Sequence, residues 1–410
     1  MKDNKKMTSQ RIWIISEIYY PVKTSTGYYI TEIAEYLAAK GLDIHVICTG
    51  SFYNESEINV ALQEDDFCNG VHVHRVFVGN IDKNNLLKRT LRLLWSSFRI
   101  FLRILSLIRQ RDKLLIVTNP AFLILLMPYI KWRKKIEYTI LVHDIFPENL
   151  VAIRKIAPSS LIYKFLKKVF DISYGKASSC ISIGRDMSEV LKSKIGKDLL
   201  IHFIPIWAEN KSIFPLDKKE TDLCKYLHLE SKFVFQFAGN LGHAQGMDNL
   251  LKAIERIDNP DIHFLFIGGG AKYNQIETFS QRCRLHNVSL VGFQDRSRQN
   301  DFLNACDIGL VTLGDGMYGL GVPSKSYNIM ATGKPILMIG EADSEIALCI
   351  KEFNLGWVVE PDNPIALKDM FESVYESRDQ LPSIRNNARC VADTVFAKET
   401  ILDKYYRLFK

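Results

Sequence analysis

Short apolar runs and helix-like segments alternate along this chain of 410 residues, and the alternation restarts near its middle. In the first half, apolar and β-branched residues predict strands at 11–16 (RIWIIS), 44–50 (IHVICTG), 71–78 (VHVHRVFV), 114–119 (LLIVTN), 137–144 (EYTILVHD) and 177–184 (ASSCISIG). Between the first two runs, apolar residues at helical spacing lead to Gly41, which is typical of a helix end. A strand, a helix and a strand in this order form a parallel sheet with a crossover helix.

The second half repeats the same scheme from residue 232 onward. Strands are predicted at 232–239, 262–270, 288–293, 307–313 and 334–340, with an amphipathic helix at 247–257. A chain of this length exceeds one average core, so we expect an α/β protein with two Rossmann-like, doubly wound domains facing a central cleft. The predicted domains are 1–206 and 207–395, the second opening with a polar connector. Residues 396–410 form a terminal helix, for which packing against the first domain is one option.

Bulk composition narrows the class of protein further. Hydrophobic residues make up 47% and charged residues 24%, as in ordinary folded domains, and the net charge of +7 does not by itself indicate nucleic acid. Eight scattered cysteines without C-x-x-C spacing predict free thiols in a reducing cytoplasm. The chain begins with a polar stretch rather than a signal peptide, and no apolar run is long enough to span a membrane.

Residues 318–337 (YGLGVPSKSYNIMATGKPIL) form the most informative motif. Glycines allow a ligand to approach the backbone, and a helix N-terminus beside a lysine favours negative charge. The motif therefore predicts a diphosphate site, although an ordinary loop, helix and turn is an equally open interpretation of this motif alone. Its candidate donor-binding residues are Gly321, Val322, Pro323, Ser324, Lys325 and Asn328.

Three other glycine-containing loops follow predicted strands, where ligands bind in doubly wound sheets. They contain Gly27, the segment GNLGHAQG with Gly239 and Gly242, and the run Gly268, Gly269 and Gly270. Any one of them is weak evidence, since such loops are common. Together with the motif at Lys325 they predict a diphosphate-bearing ligand in a cleft between the two halves.

His143 and Asp144 end a predicted strand at the same edge of the sheet. A titratable pair at this position is a candidate acid or base, and a purely structural histidine is the alternative. No D-x-D spacing of a divalent-metal site is evident. We therefore expect Lys325 and backbone N–H groups to meet the diphosphate charge, without a metal or other cofactor.

A basic, apolar segment at 86–113 is the second strong signal. Arg92, Arg99 and Arg103 share one helical face near Trp95, and Lys131 and Arg133 repeat the theme in KWRKK. Such a helix suits an anionic membrane surface, with arginines on lipid phosphates and apolar residues dipping inward. A helix packed on the sheet with a solvated basic edge is the alternative.

Taken as a set, these motifs resemble the retaining, family-four glycosyltransferases of the GT-B fold. The resemblance covers nearly the whole chain, through the segments YYPVKTSTGYYITEIAEYLAAKG, LVHDIFPENL, IPIWAENKSIF, FAGNLGHAQGMDNLL, FIGGG, LVGF and VPSKSYNIMATGKPIL. It is nearest to the bacterial surface-polysaccharide branch that includes fucosyl- and N-acetylfucosaminyltransferases. What it implies is a retaining transferase, with the nucleotide-sugar donor on the C-terminal domain.

The resemblance also assigns roles by position. Gly27 would approach the donor phosphates, His143 would lie near the reacting sugar, and Phe293 would border the base. Gly239, Asn240, Gly242 and Gln245 would line the diphosphate and sugar, although Asn240 and Gln245 stand where most of the wider family has arginine and lysine. Leu320 and Asn328 stand where that family usually has glutamates, which leaves the recognition of the ribose open.

The resulting expectation is a cytoplasmic enzyme on the inner face of the plasma membrane. It transfers a sugar from a nucleotide-diphosphate donor, with UDP favoured over GDP, to a polyprenyl-diphosphate-linked saccharide of capsule, O-antigen or exopolysaccharide. Nucleic acid is not an expected partner. Two alternatives stay open at this point, a sugar-nucleotide epimerase of the GT-B fold and a catalytically silent scaffold in a polysaccharide assembly complex.

Overall fold

A computed structural model describes residues 10–22, 24–50, 62–79, 86–196, 199–242, 245–282 and 286–410, with the backbone alone for 86–89. Within these residues the chain forms two α/β halves, each built on one sheet with helices on both faces. The predicted fold class is therefore confirmed.

The N-terminal half contains an eight-stranded sheet in the order β3-β4-β2-β1-β5-β6-β7-β8. All neighbouring strands are parallel except β3, which pairs antiparallel with β4 at the edge. The strands are β1 (Ile12–Ile15), β2 (Ile44–Thr49), β3 (Asp65–Cys68), β4 (Val71–Val76), β5 (Lys113–Val117), β6 (Glu137–Val142), β7 (Ser179–Ser182) and β8 (Leu200–Phe203). Its helices are α1 (Ser25–Ala39), α2 (Leu86–Leu107), α3 (Leu123–Lys134), α4 (Glu148–Ala152), α5 (Leu161–Gly175) and α6 (Arg185–Ile195).

The C-terminal half contains a six-stranded, wholly parallel sheet in the order β11-β10-β9-β12-β13-β14. Its strands are β9 (Phe233–Ala238), β10 (Ile262–Ile267), β11 (Val288–Val291), β12 (Ile308–Thr312), β13 (Ile336–Ile339) and β14 (Gly356–Val359). The remaining helices are α7 (Asp222–Tyr226), α8 (Met247–Ile254), α9 (Tyr273–Arg282), α10 (Gln299–Asn304), α11 (Lys325–Ala331), α12 (Glu345–Phe353), α13 (Pro364–Glu376), α14 (Leu381–Thr394) and α15 (Lys398–Phe409).

The central strands are apolar because helices cover both faces of each parallel sheet. Every residue of β1, β9 and β10 is buried. Three strands were not predicted from the sequence, because none of them contains a clear run of apolar residues. The edge strand β3 is polar and mostly exposed, whereas β8 and β14 are four-residue strands without a fully buried face.

Two helices differ in extent from the sequence-based expectation. The segment at 86–113 is helical only to Leu107, after which Arg111 takes a left-handed conformation with φ of 76° and β5 begins. The predicted helix at 247–257 ends already at Ile254. The helix of the lysine motif, α11, begins at Lys325. Lys325 therefore occupies the first turn of α11, at the side of the sheet that faces the other domain.

Polar contacts join the two halves near the carboxyl ends of both sheets. At the start of α6, Arg185 donates from its backbone N–H to Glu345 Oε2 at 2.7 Å and from its guanidinium to both Glu345 oxygens. Nearby, the backbone N–H of Gly319 donates to Asp186, and that of Ile145 donates to the Leu320 carbonyl. These contacts hold the carboxyl ends of both sheets around one shared cleft.

The terminal helix α15 returns to the N-terminal half. It packs against α1, where Tyr36 donates a hydrogen bond to Asp403 at 2.5 Å and Lys398 forms an ion pair with Glu32 at 2.7 Å. The preceding residue Ala397 forms a β-bridge with Ala208. The chain thus crosses between the halves at two adjacent places.

Because α15 packs on the N-terminal half where the chain crosses between the halves, shortening its buried side chains should destabilise the protein. Ile401 is wholly buried, and Ile401→Ala should lower the free energy of unfolding by about 2–5 kcal/mol. Urea denaturation of this variant, beside the exposed control Arg407→Ala, measures the effect. A cost equal to that of the control would contradict an integral role for α15.

Candidate active site

The cleft between the two halves has a volume of about 530 Å³ and receives loops from the carboxyl ends of both sheets. This is the position at which doubly wound sheets bind their ligands. We call it the donor cleft. From the N-terminal half it is lined by Thr24, Ser25, Thr26, Tyr29, His143 and Asp144. From the C-terminal half it is lined chiefly by Gly239, Asn240, Gln245, Phe293, Gln294, Arg296, Gly321, Val322, Pro323, Ser324, Lys325 and Asn328.

Lys325 is the central cation of the donor cleft. Its Nζ lies 3.2 Å from the centroid of the buried Phe237 ring. No carboxylate of the described chain lies within ion-pairing distance of this ammonium. Desolvation by the surrounding protein lowers the pKa of Lys325 well below its ordinary value. The surroundings of Lys325 thus disfavour its charged form, and an anionic ligand beside Nζ would favour the ammonium.

Gly239 of the β9 loop lies against the side chain of this lysine. Gly239 has φ of 144°, which favours glycine, and a methyl group on it would lie 3.9 Å from Lys325 Cδ. Behind it, a methyl group on Gly268 would lie 2.0 Å from the Gly239 carbonyl oxygen, so the two loops pack backbone to backbone. This packing holds the β9 loop beside Lys325.

Five of the predicted donor-binding glycines lie outside the cleft lining. Gly27 belongs to the first turn of α1, where its N–H donates to the Thr24 hydroxyl at 3.1 Å, and Thr24, Ser25 and Thr26 line the cleft instead. The other four support the β9 loop or lie beside it: Gly242, Gly268, Gly269 and Gly270. Gly268 and Gly270 contact the β9 loop closely, whereas no described atom lies within 4 Å of a methyl group placed on Gly269. The donor-binding role of these five glycines stays a prediction.

Polar side chains line the remaining C-terminal wall. Gln245 accepts a hydrogen bond from Thr312 at 3.1 Å, which orients its amide. Asn328 is buried on α11 and accepts one from the Glu209 backbone N–H at 3.1 Å. Phe293 is 78% exposed at the cleft edge and can present its ring face to a planar base.

His143 and Asp144 lie on the opposite wall, at the end of β6. The Thr118 hydroxyl accepts hydrogen bonds from both backbone N–H groups, at 3.1 and 3.3 Å. Burial lowers the pKa of His143 to about 4, so its ring is neutral at physiological pH. Asp144 reaches solvent in the cleft, but the crowding of protein around it raises its pKa to about 6. Across the cleft, a methyl group on Gly321 would lie 3.6 Å from Asp144 Oδ1.

The sequence analysis missed a second cation of the cleft, Arg296. This residue follows β11 in a short 3-10 helix, and its guanidinium carbon lies 3.5 Å from the centroid of the Tyr28 ring on α1. The contact spans the two halves and places a second positive charge at the cleft. The only sequence signal for Arg296 is its position after β11, whose end lies near the cleft. The polar turn that contains it otherwise resembles a solvated loop.

The predicted membrane-facing residues divide into two groups. Arg92 lies 3.9 Å from Glu17, and Arg103 pairs with Glu64 and Asp65 at 3.4 and 2.6 Å, so both guanidinium groups are occupied by protein carboxylates. Lys131 likewise pairs with Glu137 at 3.1 Å. The group that reaches solvent consists of Trp95, Arg99 stacked on it, and Arg133. The shared face of the arginines was predicted from spacing, but their carboxylate partners were not.

The seven cysteines that the structure describes are free thiols, and Cys283 lies outside the described residues. In the described part of the chain, no helix combines the length and apolar character that crossing a bilayer requires.

Two Rossmann-like halves around a cleft of this kind form the GT-B fold. The family model for glycosyl transferases group 1 matches residues 218–391, which include β9 to β14 and Lys325. A Pseudomonas aeruginosa protein named "Probable glycosyltransferase WbjE" is 32% identical over 397 residues, covering 96% of each chain. The chain belongs to the group 1 glycosyltransferase family, and it is a glycosyltransferase.

Solved structures support the fold assignment independently. The Anabaena protein Alr3699/HepE, crystallised in complex with UDP-glucose, superposes with a TM-score of 0.73 at 14% identity, covering 97% of this chain and 98% of its own. WaaG, a glycosyltransferase involved in lipopolysaccharide biosynthesis, superposes with a TM-score of 0.70 at 13% identity, covering 97% and 99%. At these identities the likeness extends to the fold alone.

The different pKa values of His143 and Asp144 generate a pH prediction. A carboxylate acts as a base only when ionised, so a base at Asp144 should make kcat/KM rise through about pH 6 and then level off. His143 is already neutral in that window, since its pKa lies near 4. Asp144→Asn should therefore lower the rate and remove the inflection, whereas His143→Gln should keep it. Persistence of the inflection in Asp144→Asn would exclude Asp144 as its origin.

Proposed function

We propose that this enzyme transfers a sugar, with retention of anomeric configuration, from a nucleotide-diphosphate donor to a polyprenyl-diphosphate-linked saccharide of capsule, O-antigen or exopolysaccharide. The observation that carries the proposal is the unpaired ammonium of Lys325, set beside the Gly239 loop in the donor cleft. A donor diphosphate supplies the negative charge that this site lacks.

In this proposal the C-terminal wall holds the donor. The bond between the anomeric carbon and the diphosphate oxygen breaks, and the leaving nucleoside diphosphate gains negative charge. Lys325, the N–H groups of the loops and Arg296 stabilise that charge. Phe293 borders the base and Asn328 lies near the ribose. Two protein cations around the diphosphate support a reaction that needs no metal.

UDP is the favoured nucleotide. The support is the UDP-glucose bound by the structural neighbour Alr3699/HepE, which shares the fold of this chain. The donor sugar proposed is an N-acetylated deoxyhexosamine, which rests on the resemblance of Asn240, Gln245 and Lys325 to the fucosyl- and N-acetylfucosaminyltransferase branch. The retaining outcome rests on the same resemblance.

The N-terminal wall presents the acceptor. Asp144 lies across the cleft from Gly321, at the boundary between the two halves. Ionised above pH 6, it would accept the proton of the attacking hydroxyl, with His143 positioned beside it as a neutral ring. Water is excluded when ligands fill the cleft, so transfer is favoured over hydrolysis.

An apolar surface on the N-terminal half suits a peripheral position on the cytoplasmic face of the plasma membrane. Aromatic contacts at 5.9 and 5.8 Å connect Phe101 to Tyr129 and Tyr129 to Trp132, which joins α2 to α3. Arg99 and Arg133 flank it and suit anionic headgroups. The residues of this apolar surface are Leu91, Leu94, Trp95, Phe98, Leu102, Tyr129, Trp132, Leu161, Ile162 and Phe165, all exposed on α2, α3 and α5.

The two alternatives fit these observations less well. Family membership favours a transferase over an epimerase, and an epimerase would have no use for the apolar surface. A silent scaffold would not need a half-buried lysine without a counter-charge in the cleft.

Replacing Lys325 tests the donor assignment. Calorimetric titration with UDP should show binding to the wild-type protein, and Lys325→Met should weaken it by roughly 10- to 100-fold, as expected for one lost charge-assisted hydrogen bond. Lys272→Met is the matched control, because Lys272 pairs with Asp248 outside the cleft lining. Unchanged affinity in Lys325→Met would remove the lysine from the donor site, and absence of UDP and GDP binding would favour the scaffold.

The membrane assignment is tested by the apolar surface rather than by its arginines. Co-sedimentation with mixed phosphatidylglycerol and phosphatidylethanolamine vesicles should fall at least ~10-fold in the double variant Trp95→Ala/Trp132→Ala, because two large apolar side chains no longer enter the bilayer. Tyr226→Ala removes an exposed aromatic side chain on the C-terminal half and should sediment like the wild type. Equal sedimentation of the two variants would contradict this surface as the docking site.

A further inference from the structure

A second pocket lies beside the donor cleft, between the two halves. Its volume is about 440 Å³. The N-terminal half contributes α4, the turn after it and the first turn of α5, and the C-terminal half contributes the loop at 315–320. Its lining residues are Glu148, Val151, Ala152, Arg154, Tyr163, Asp315, Gly316, Tyr318 and Leu320.

Two opposite charges face this pocket without partners of their own. Among the described residues, neither Arg154 nor Asp315 has a charged group within ion-pairing distance. The third charged residue, Glu148, is already neutralised, because its carboxylate accepts hydrogen bonds from Lys167 at 3.0 Å and Lys194 at 2.8 Å. The pocket thus offers one free guanidinium from the N-terminal half and one free carboxylate from the C-terminal half.

The pocket connects the reacting end of the donor cleft with the apolar surface. On one side, Leu320 lines the pocket and the next residue, Gly321, lines the donor cleft opposite Asp144. On the other side, Tyr163 lines the pocket from the turn of α5 that also carries the exposed Leu161 and Ile162. A molecule in the pocket would have its two ends at these two places.

We propose that this second pocket binds the head of the lipid-linked acceptor, with Arg154 on a phosphate of its diphosphate and Asp315 on hydroxyls of its saccharide. The proposal rests on the proposed function, which supplies the class of acceptor. The acceptor chain then leaves along the exposed start of α5, and the saccharide points toward Asp144.

The chemistry of the lining fits the two parts of such a ligand. A guanidinium binds phosphate oxygens with two parallel hydrogen bonds, which suits the free Arg154. A carboxylate accepts hydrogen bonds from sugar hydroxyls, and the rings of Tyr163 and Tyr318 offer apolar faces with polar tips. Because Arg154 and Asp315 come from different halves, an acceptor that contacts both would also bridge the domains.

Farnesyl diphosphate is a suitable probe, since it carries the diphosphate and a short isoprenoid chain without the saccharide. Calorimetry is performed on the full chain with UDP at saturation, so that the donor cleft is already filled. The wild-type protein should bind the probe, and Arg154→Ala should weaken binding at least ~10-fold, the loss expected for a charge-assisted pair. Arg154→Lys should restore part of the affinity, and Arg109→Ala, an exposed arginine elsewhere in the same half, should change nothing.

Two further arms separate the ligand sources. Inorganic pyrophosphate, with the charge but no chain, should bind more weakly than farnesyl diphosphate, and equal affinity would show a site for free phosphate. Asp315→Asn should keep the affinity for the probe, because the probe has no sugar. Unchanged binding in Arg154→Ala, no binding of the probe to the wild type, or competition between probe and UDP would each overturn the acceptor pocket.

These outcomes are distinct from a failure of the proposed function. If UDP itself does not bind, the donor assignment fails. If UDP binds while Arg154→Ala behaves as the wild type, the donor cleft stands and only the acceptor pocket is lost.

Discussion

The site depends on one half-buried lysine without a counter-charge. Lys325 holds its ammonium 3.2 Å from the Phe237 ring, in a cleft where no described carboxylate neutralises it. Taking an ammonium out of water without a partner is costly, and the lowered pKa of Lys325 reflects that cost. A bound diphosphate would supply the missing negative charge. The desolvation cost of the ammonium in the free site and the affinity for an anionic ligand therefore have the same origin.

The rest of the C-terminal half is arranged around this lysine. The apolar strand β9 brings Phe237 against the amino group of Lys325, and Gly239 lies beside the lysine side chain. Gly268 packs directly on the Gly239 carbonyl. Any side chain at position 268 would push the two loops apart. Arg296 then spans to Tyr28 of the other half, so a second cation lies where the halves meet. The packing of the β9 loop and the contact between the two halves thus place Lys325 and Arg296 at the same cleft.

Sequence reasoning recovered the architecture because its signals are strong and local. Alternating apolar runs and helical periodicity identified both sheets, and the glycines and prolines around Lys325 identified the lysine loop. It could not predict contacts between residues that are far apart in the sequence. Helical spacing placed Arg92 and Arg103 on one face, but Glu17, Glu64 and Asp65 come from distant segments and pair with them in the folded chain. Within the run Gly268–Gly270, Gly268 and Gly270 pack against the β9 loop, a contact that the sequence pattern did not predict.

A crystal structure of the protein with UDP would measure the distance from Lys325 Nζ to the nearest diphosphate oxygen, on which the donor assignment depends. We expect a hydrogen-bonded contact of about 2.7–3.2 Å, with the base at Phe293. A diphosphate bound elsewhere in the cleft, with the Lys325 ammonium still resting on Phe237, would contradict it.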